Sequence, residues 1–270
     1  MTREEAQAFL ETAGTAPDQD FPLLEAAIAC ALHDQPARDP RAVRVMANHA
    51  AHRLKERAAL ESPDDALTET MGSDLRLTGD LLNYHDASNT DLIQVAERRR
   101  GLSAALVIFY LDAAQRAGLE AAAVDFPNHI LLRVETPEGP VALDPFSHGR
   151  LVLPSELTRR ALLAGLTPHV ADRLDLLMAP ITSRQALIRL QGVQYARALH
   201  DGDYEHAERA ALRCTLLNPE DHRPWLDVAQ ARERQGALNG TLEALRRARG
   251  QDDGPHAYMA TMDRVRMRLN

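Results

Sequence analysis

Three residues in the middle of the chain, Ser103, His129 and Asp144, fall in the order nucleophile, base, orienting acid. Ser103 opens an apolar run over 104–117. A hydroxyl at the first turn of such a helix meets free backbone N–H groups and the positive end of the helix dipole. His129 follows Phe126-Pro127-Asn128 at the start of one strand-like segment, and Asp144 ends the next. A hairpin sets such positions side by side, where a carboxylate can orient an imidazole. The chemistry this predicts is acyl transfer or amide hydrolysis. Each residue also has a plainer use. Serine is a common helix N-cap, His129 can serve a turn, and Asp144 before Pro145 suits an Asx-type turn.

The elements that must hold these residues are legible from periodicity. Apolar positions 23, 24, 27, 28 and 32 recur at helical spacing, and 43, 45, 46, 50 and 54 suggest another helix, so the first 78 residues form a helical region. His49 and His52 lie one turn apart on it, without a third ligand nearby, and are expected on an exposed face rather than at a metal. A short helix is expected over 91–100, ending in Arg98, Arg99 and Arg100 just before Gly101. Gly118 closes the apolar helix as a C-cap. Strands are expected over 121–126, 130–135 and 141–143, the last two joined by a turn at Pro137-Glu138-Gly139-Pro140. Helices followed by an antiparallel sheet make an α+β core over 79–178.

From about residue 179 the chain is helical again, and it repeats. Gly202 and Gly236 are 34 residues apart, the period of the tetratricopeptide repeat, with Pro219 and Trp225 in keeping. Two helical hairpins and a last helix over 258–269 are expected there. Stacked hairpins expose a concave surface suited to peptides.

Composition narrows the function. With 31 basic and 39 acidic residues the net charge is −8, which argues against a general nucleic-acid binder. No apolar run approaches the roughly 18 residues needed to span a bilayer, and the first residues lack a basic, then apolar, leader. A cytoplasmic protein is expected. Cys30 and Cys214 lie in apolar helical contexts and are expected as buried free thiols.

The stretch 77–89 with Glu97-Arg98-Arg99-Arg100-Gly101, the word Phe126-Pro127-Asn128-His129-Ile130-Leu131-Leu132-Arg133, and the segment Leu143-Asp144-Pro145-Phe146-Ser147-His148-Gly149 resemble a bacterial family. Its members join a transglutaminase-like core to tetratricopeptide-type repeats, under a name that assigns them a role in regulating sirC expression. The resemblance implies a papain- or transglutaminase-like core with a small antiparallel sheet, and no cofactor. In the enzymes of this fold the residue two after the glycine is a nucleophilic cysteine; in this family it is typically proline, and here it is Ser103. By the same resemblance His129 and Asp144 match the histidine and aspartate of the enzymes.

A serine hydroxyl is far less acidic than a thiol and needs concerted proton removal with an oxyanion hole placed for it. The preferred expectation is therefore a catalytically impaired domain that binds a protein or peptide partner and acts as a regulatory scaffold. The alternative is a hydrolase or acyltransferase with a Ser103-His129-Asp144 triad. Arg98, Arg99 and Arg100 would meet acidic groups of a ligand, or else form a solvated charge run. Asn83 and Tyr84 belong to a polar loop expected to border the groove.

Overall fold

The computed structural model describes residues 1–249 and 267; the helix expected over 258–269 lies, Met267 aside, outside them. Helices α1 (Arg3–Thr15), α2 (Leu23–Asp34), α3 (Arg41–Arg57) and α4 (Pro63–Leu67) open the chain, followed by a π-helical segment, Thr68–Asp74. Then come strand β1 (Thr78–Gly79), helix α5 (Leu92–Arg98), strand β2 (Arg100–Gly101) and helix α6 (Ser103–Ala117). Strands β3 (Ala121–Phe126), β4 (His129–Thr136), β5 (Gly139–Asp144) and β6 (Arg150–Val152) lead into helices α7 (Pro154–Leu163), α8 (Pro168–Ala171) and α9 (Leu174–Leu177). The described chain ends in helices α10 (Ser183–Asp201), α11 (Tyr204–Leu217), α12 (Pro224–Gln235) and α13 (Leu238–Ala248). It divides into two compact units: Phe21–Ile28 with Arg38–Leu187, and Met1–Asp20 with Ala29–Ala37 and the chain from Ile188 on.

The unit with the candidate site is α+β. Every residue of α6 from Ser103 to Ala114 is buried. Apart from Ser103 and Asp112 this stretch is apolar or aromatic around its circumference, so other elements must cover it on every side. Its neighbours are α3 and strands β3 and β4. The sheet runs β3-β4-β5-β6, antiparallel throughout. The expected strands are present, with β4 and β5 each extended at both ends. Pro140 falls inside β5, opposite Glu135, at a level β6 does not reach, so its missing N–H costs no ladder bond. Pro127 and Asn128, the latter at φ 61°, turn the chain so that Phe126 pairs with His129; asparagine tolerates that left-handed backbone well. Apolar faces of sheet and helices close over Val124, Phe126, Leu131, Leu157 and Ala161.

Three strands escape the sequence reading. Strand β6 has only three residues, two of them exposed. Strands β1 and β2 are dipeptides that pair in parallel, Thr78 beside Arg100 and Gly79 beside Gly101. Both glycines are places of close approach: a Cβ on Gly79 would fall 2.4 Å from the Phe146 ring, and one on Gly101 2.6 Å from the Val95 side chain.

In the other unit, Gly202 (φ 78°) follows α10 and Gly236 (φ 79°) ends α12. Helices α11, α12 and α13 pack in sequence around Val228, Ala229, Leu242 and Leu245. Its interior also holds charge. Arg213, 1% exposed, donates to Gln191 and to Gln194 (2.8 Å) and lies 3.8 Å from Asp34, which accepts from Arg209 at 2.7 Å. Cys30 and Cys214 are free and buried. Burial pushes both thiols to about 12, so neither presents a thiolate near neutrality.

Burial, aided by the positive charges of Arg213 and Arg3, pushes His33 down to about 4. An unfolded histidine binds its proton near pH 6.5, so the unfolded chain takes up more protons between those values. Stability therefore falls as pH drops from about 6.5 to 4, by up to about 3 kcal/mol from this group. Urea unfolding followed by the single tryptophan, Trp225, is expected to show that loss in wild type and a flatter profile in His33→Gln.

Candidate functional site

Asp144 is the hub of the candidate site. It lies at the end of β5 and is 2% exposed. Its Oδ1 is 2.7 Å from His129 Nε2 and accepts the Phe146 N–H at 3.0 Å. Its Oδ2 accepts from Ser147 Oγ at 3.1 Å and from Arg160 Nη1 at 2.9 Å. Burial alone would raise this carboxyl. The hydrogen bonds and charges of His129 and Arg160 overcome it and hold the group at about 2. An ionised carboxylate can only accept, so Nε2 of His129 carries the proton. Nδ1 is left as the ring nitrogen that no described residue engages.

One Asp144 oxygen both meets His129 and closes the Asx-type turn onto Phe146. Arg160, on α7, was not singled out in the sequence; sixteen residues separate it from Asp144, and nothing in a helical pattern marks which arginine turns inward. It also pairs with Glu156 (2.8 Å), which pairs with Arg150 (2.7 Å). Phe146 was likewise missed. Its ring stands edge-on to His129 (centroids 5.9 Å apart, planes at 79°) and to Tyr84 (6.0 Å, 63°). The bare Cα of Gly79 gives that ring its space.

Ser103 corrects one expectation. It is not the cap of α6: that position belongs to Leu102, which makes no side-chain cap bond and whose N–H donates to the Asn89 carbonyl at 2.8 Å. Ser103 is the first helical residue, 8% exposed. Its hydroxyl accepts the Ile130 N–H at 3.3 Å, tying the start of the helix to β4 one residue beyond His129. No hydrogen bond joins Ser103 to His129 among the described residues.

The other expected site residues separate. Arg98 turns back into its own loop. It donates to Asp80 (3.4 Å), Asn89 and Ser88 and to the Arg100 carbonyl (3.4 Å). Asn89, fully buried, donates to the carbonyls of Asn83 (2.7 Å) and Tyr84 (3.4 Å), and Asp80 accepts the Asn83 N–H at 3.0 Å. Asn83 and Tyr84 thus sit on a loop fixed from below, beside the Phe146 ring. Arg99 caps the end of α5 at φ 60°, and Arg100 is exposed on β2. His52 lies beside Glu56 at 3.4 Å, and no group of three or more ligand side chains among the described residues could hold a metal ion. No described helix is long and apolar enough to cross a membrane.

Removing the Arg160 charge would leave the buried carboxylate with His129, the Phe146 N–H and the Ser147 hydroxyl but without its guanidinium partner. Arg160→Met is expected to raise the Asp144 pKa from about 2 by at least about one unit, read by carboxyl carbon NMR. The stability contributed by ionised Asp144 is present above the unfolded value near 3.9 and lost as pH falls through the folded value. The variant should therefore lose it at higher pH than wild type.

A profile of the transglutaminase-like superfamily matches residues 41–192, which include Ser103, His129 and Asp144. The UPF0162 protein of Xylella fastidiosa strain Temecula1 is 28% identical over 240 residues, spanning 86% of this chain and 85% of its own length. Its counterpart in strain 9a5c is 27% identical over the same span. F-box only protein 21 of Mus musculus is 33% identical over 69 residues, 26% of this chain and 11% of its own. No solved structure matches. With the match covering more than half the chain and carrying the whole His129–Asp144 hairpin, this protein belongs to the transglutaminase-like superfamily.

Proposed function

We propose that this protein is a non-catalytic member of its superfamily, a regulatory scaffold whose groove at His129 binds an extended segment of a protein partner without cleaving it. The observation that carries this reading is the Ser103 hydroxyl. It occupies the helix-start position where the enzymes carry their nucleophile, yet it is buried and accepts the Ile130 N–H. An attacking serine needs its proton drawn off by the base; here the hydroxyl serves to join helix and strand. The retained His129–Asp144 bond closes the hairpin and satisfies a buried carboxylate. The 34-residue interval between Gly202 and Gly236, each following a helix at positive φ, supports a tetratricopeptide-type pairing of the C-terminal helices, a second surface for a partner. A role in regulating sirC expression, as the family resemblance implies, would then run through a protein partner.

The rival reading, a hydrolase or acyltransferase using Ser103, His129 and Asp144, draws support from the 2.7 Å His129–Asp144 bond and the ionised carboxylate. A fluorophosphonate probe separates the two. The expected result is no adduct on Ser103 by mass spectrometry. An adduct that forms in wild type and disappears in His129→Ala establishes the enzyme and overturns the scaffold.

A further inference from the structure

On and just before the short β1–β2 ribbon lie three arginines, Arg76, Arg99 and Arg100, that meet no acid partner among the described residues. Thr78 and Arg100 are paired in the ribbon, and the Thr78 N–H donates to the Arg99 carbonyl at 3.1 Å. Arg76, two residues before Thr78, and Arg99 therefore lie at the same end. Among the described residues no carboxylate meets the side chain of Arg76, Arg99 or Arg100. The chain has 39 acidic residues to 31 basic ones, and other arginines of the same unit, including Arg98, Arg116, Arg133, Arg150 and Arg160, are paired.

Two features say that these side chains are not there for the fold. Arg76 and Arg99 hold φ at 55° and 60°, a region where glycine or asparagine would strain the backbone less. Burial pushes the Arg99 guanidinium down, and its Nη1 is buried without an acceptor. An unmet buried donor is costly, and an anionic oxygen from outside the chain would satisfy it.

The loop that leaves β1 at the opposite end of this two-residue ribbon, past Gly79, presents apolar surface. Leu81 and Leu82 are 80% and 87% exposed, and Tyr84 is 43% exposed. The backbone on either side of the two leucines is held: the Asp80 N–H donates to the Gly101 carbonyl, the Asn83 N–H to Asp80, and Asn89 to the carbonyls of Asn83 and Tyr84. Side chains presented by a fixed loop lose little entropy on binding. Tyr84 also continues through Phe146 to His129.

We propose that Arg76, Arg99 and Arg100, with Leu81, Leu82 and Tyr84, form a recognition surface for an acidic segment of a protein partner that carries leucine-type side chains among its carboxylates. Only its continuity with His129 rests on the groove reading above; the arginines and exposed leucines stand apart from it. The acidic carboxylates meet the arginines bidentately, and the apolar side chains cover Leu81 and Leu82. Nucleic acid would satisfy the arginines but leave the leucines bare.

The test is fluorescence anisotropy on the full chain with three labelled probes: a short peptide alternating leucine and glutamate, its leucine–lysine counterpart, and a single-stranded oligonucleotide. The leucine–glutamate peptide should bind saturably, more weakly as salt rises. Arg100→Glu and Leu82→Ser, both at exposed positions, should each weaken it about tenfold. The proposal is overturned if that peptide fails to bind, if either other probe binds as tightly, or if Arg100→Glu binds like wild type. Fluorophosphonate labelling of Ser103 would remove the non-catalytic reading and leave this one intact, because the two readouts are independent.

Discussion

The Asp144 carboxylate is the point on which the site depends. Burying a charge this deeply is tolerable only when every lone pair is met. Here the partners come from four directions: the first residue of β4, the N–H and hydroxyl of the turn that follows β5, and the guanidinium of α7. Satisfying one carboxylate thus fixes the ends of two strands, the turn that carries Phe146, and the helix that closes the sheet. The same bonds that keep Asp144 ionised set the tautomer of His129. Fold and site share one solution.

The second constraint is the burial of α6. Because that helix is covered on all sides, its first turn cannot open to solvent, and Ser103 is drawn against β4. A cysteine at this position could be made reactive by the helix start and a neighbouring imidazole. A serine in the same enclosure finds a backbone N–H instead.

The loop over 80–89 shows how a polar sequence becomes an ordered surface. Arg98, Asp80 and Asn89 spend their hydrogen-bonding capacity on one another and on loop carbonyls, while Leu81, Leu82 and Tyr84 are turned outward. The sequence presented Arg98, Arg99 and Arg100 as one basic run. The structure divides it: Arg98 holds the loop, whereas Arg99 and Arg100 find no acid among the described residues. Adjacent residues on a helix end and the strand after it point in different directions, so neighbours in a charge run need not share a role.

Much of this protein was determined by local pattern. The period-3.6 runs that became α2, α3 and α6, the Gly118 that ends α6, and the turn within Pro137-Glu138-Gly139-Pro140 need only near neighbours, and these were legible. So was the pairing of His129 with Asp144, because a hairpin makes their meeting a local event. What the tertiary structure alone decided are contacts across long separations: Arg160 on Asp144, Phe146 against Gly79 and His129, and the parallel pairing of β1 with β2. Ser103 belongs here too. Its type and position allowed a cap, a nucleophile or a tie, and only the approach of β4, which brings the Ile130 N–H to its oxygen, selects among them. Periodicity records which face of an element is buried, but not which polar atom will be waiting there.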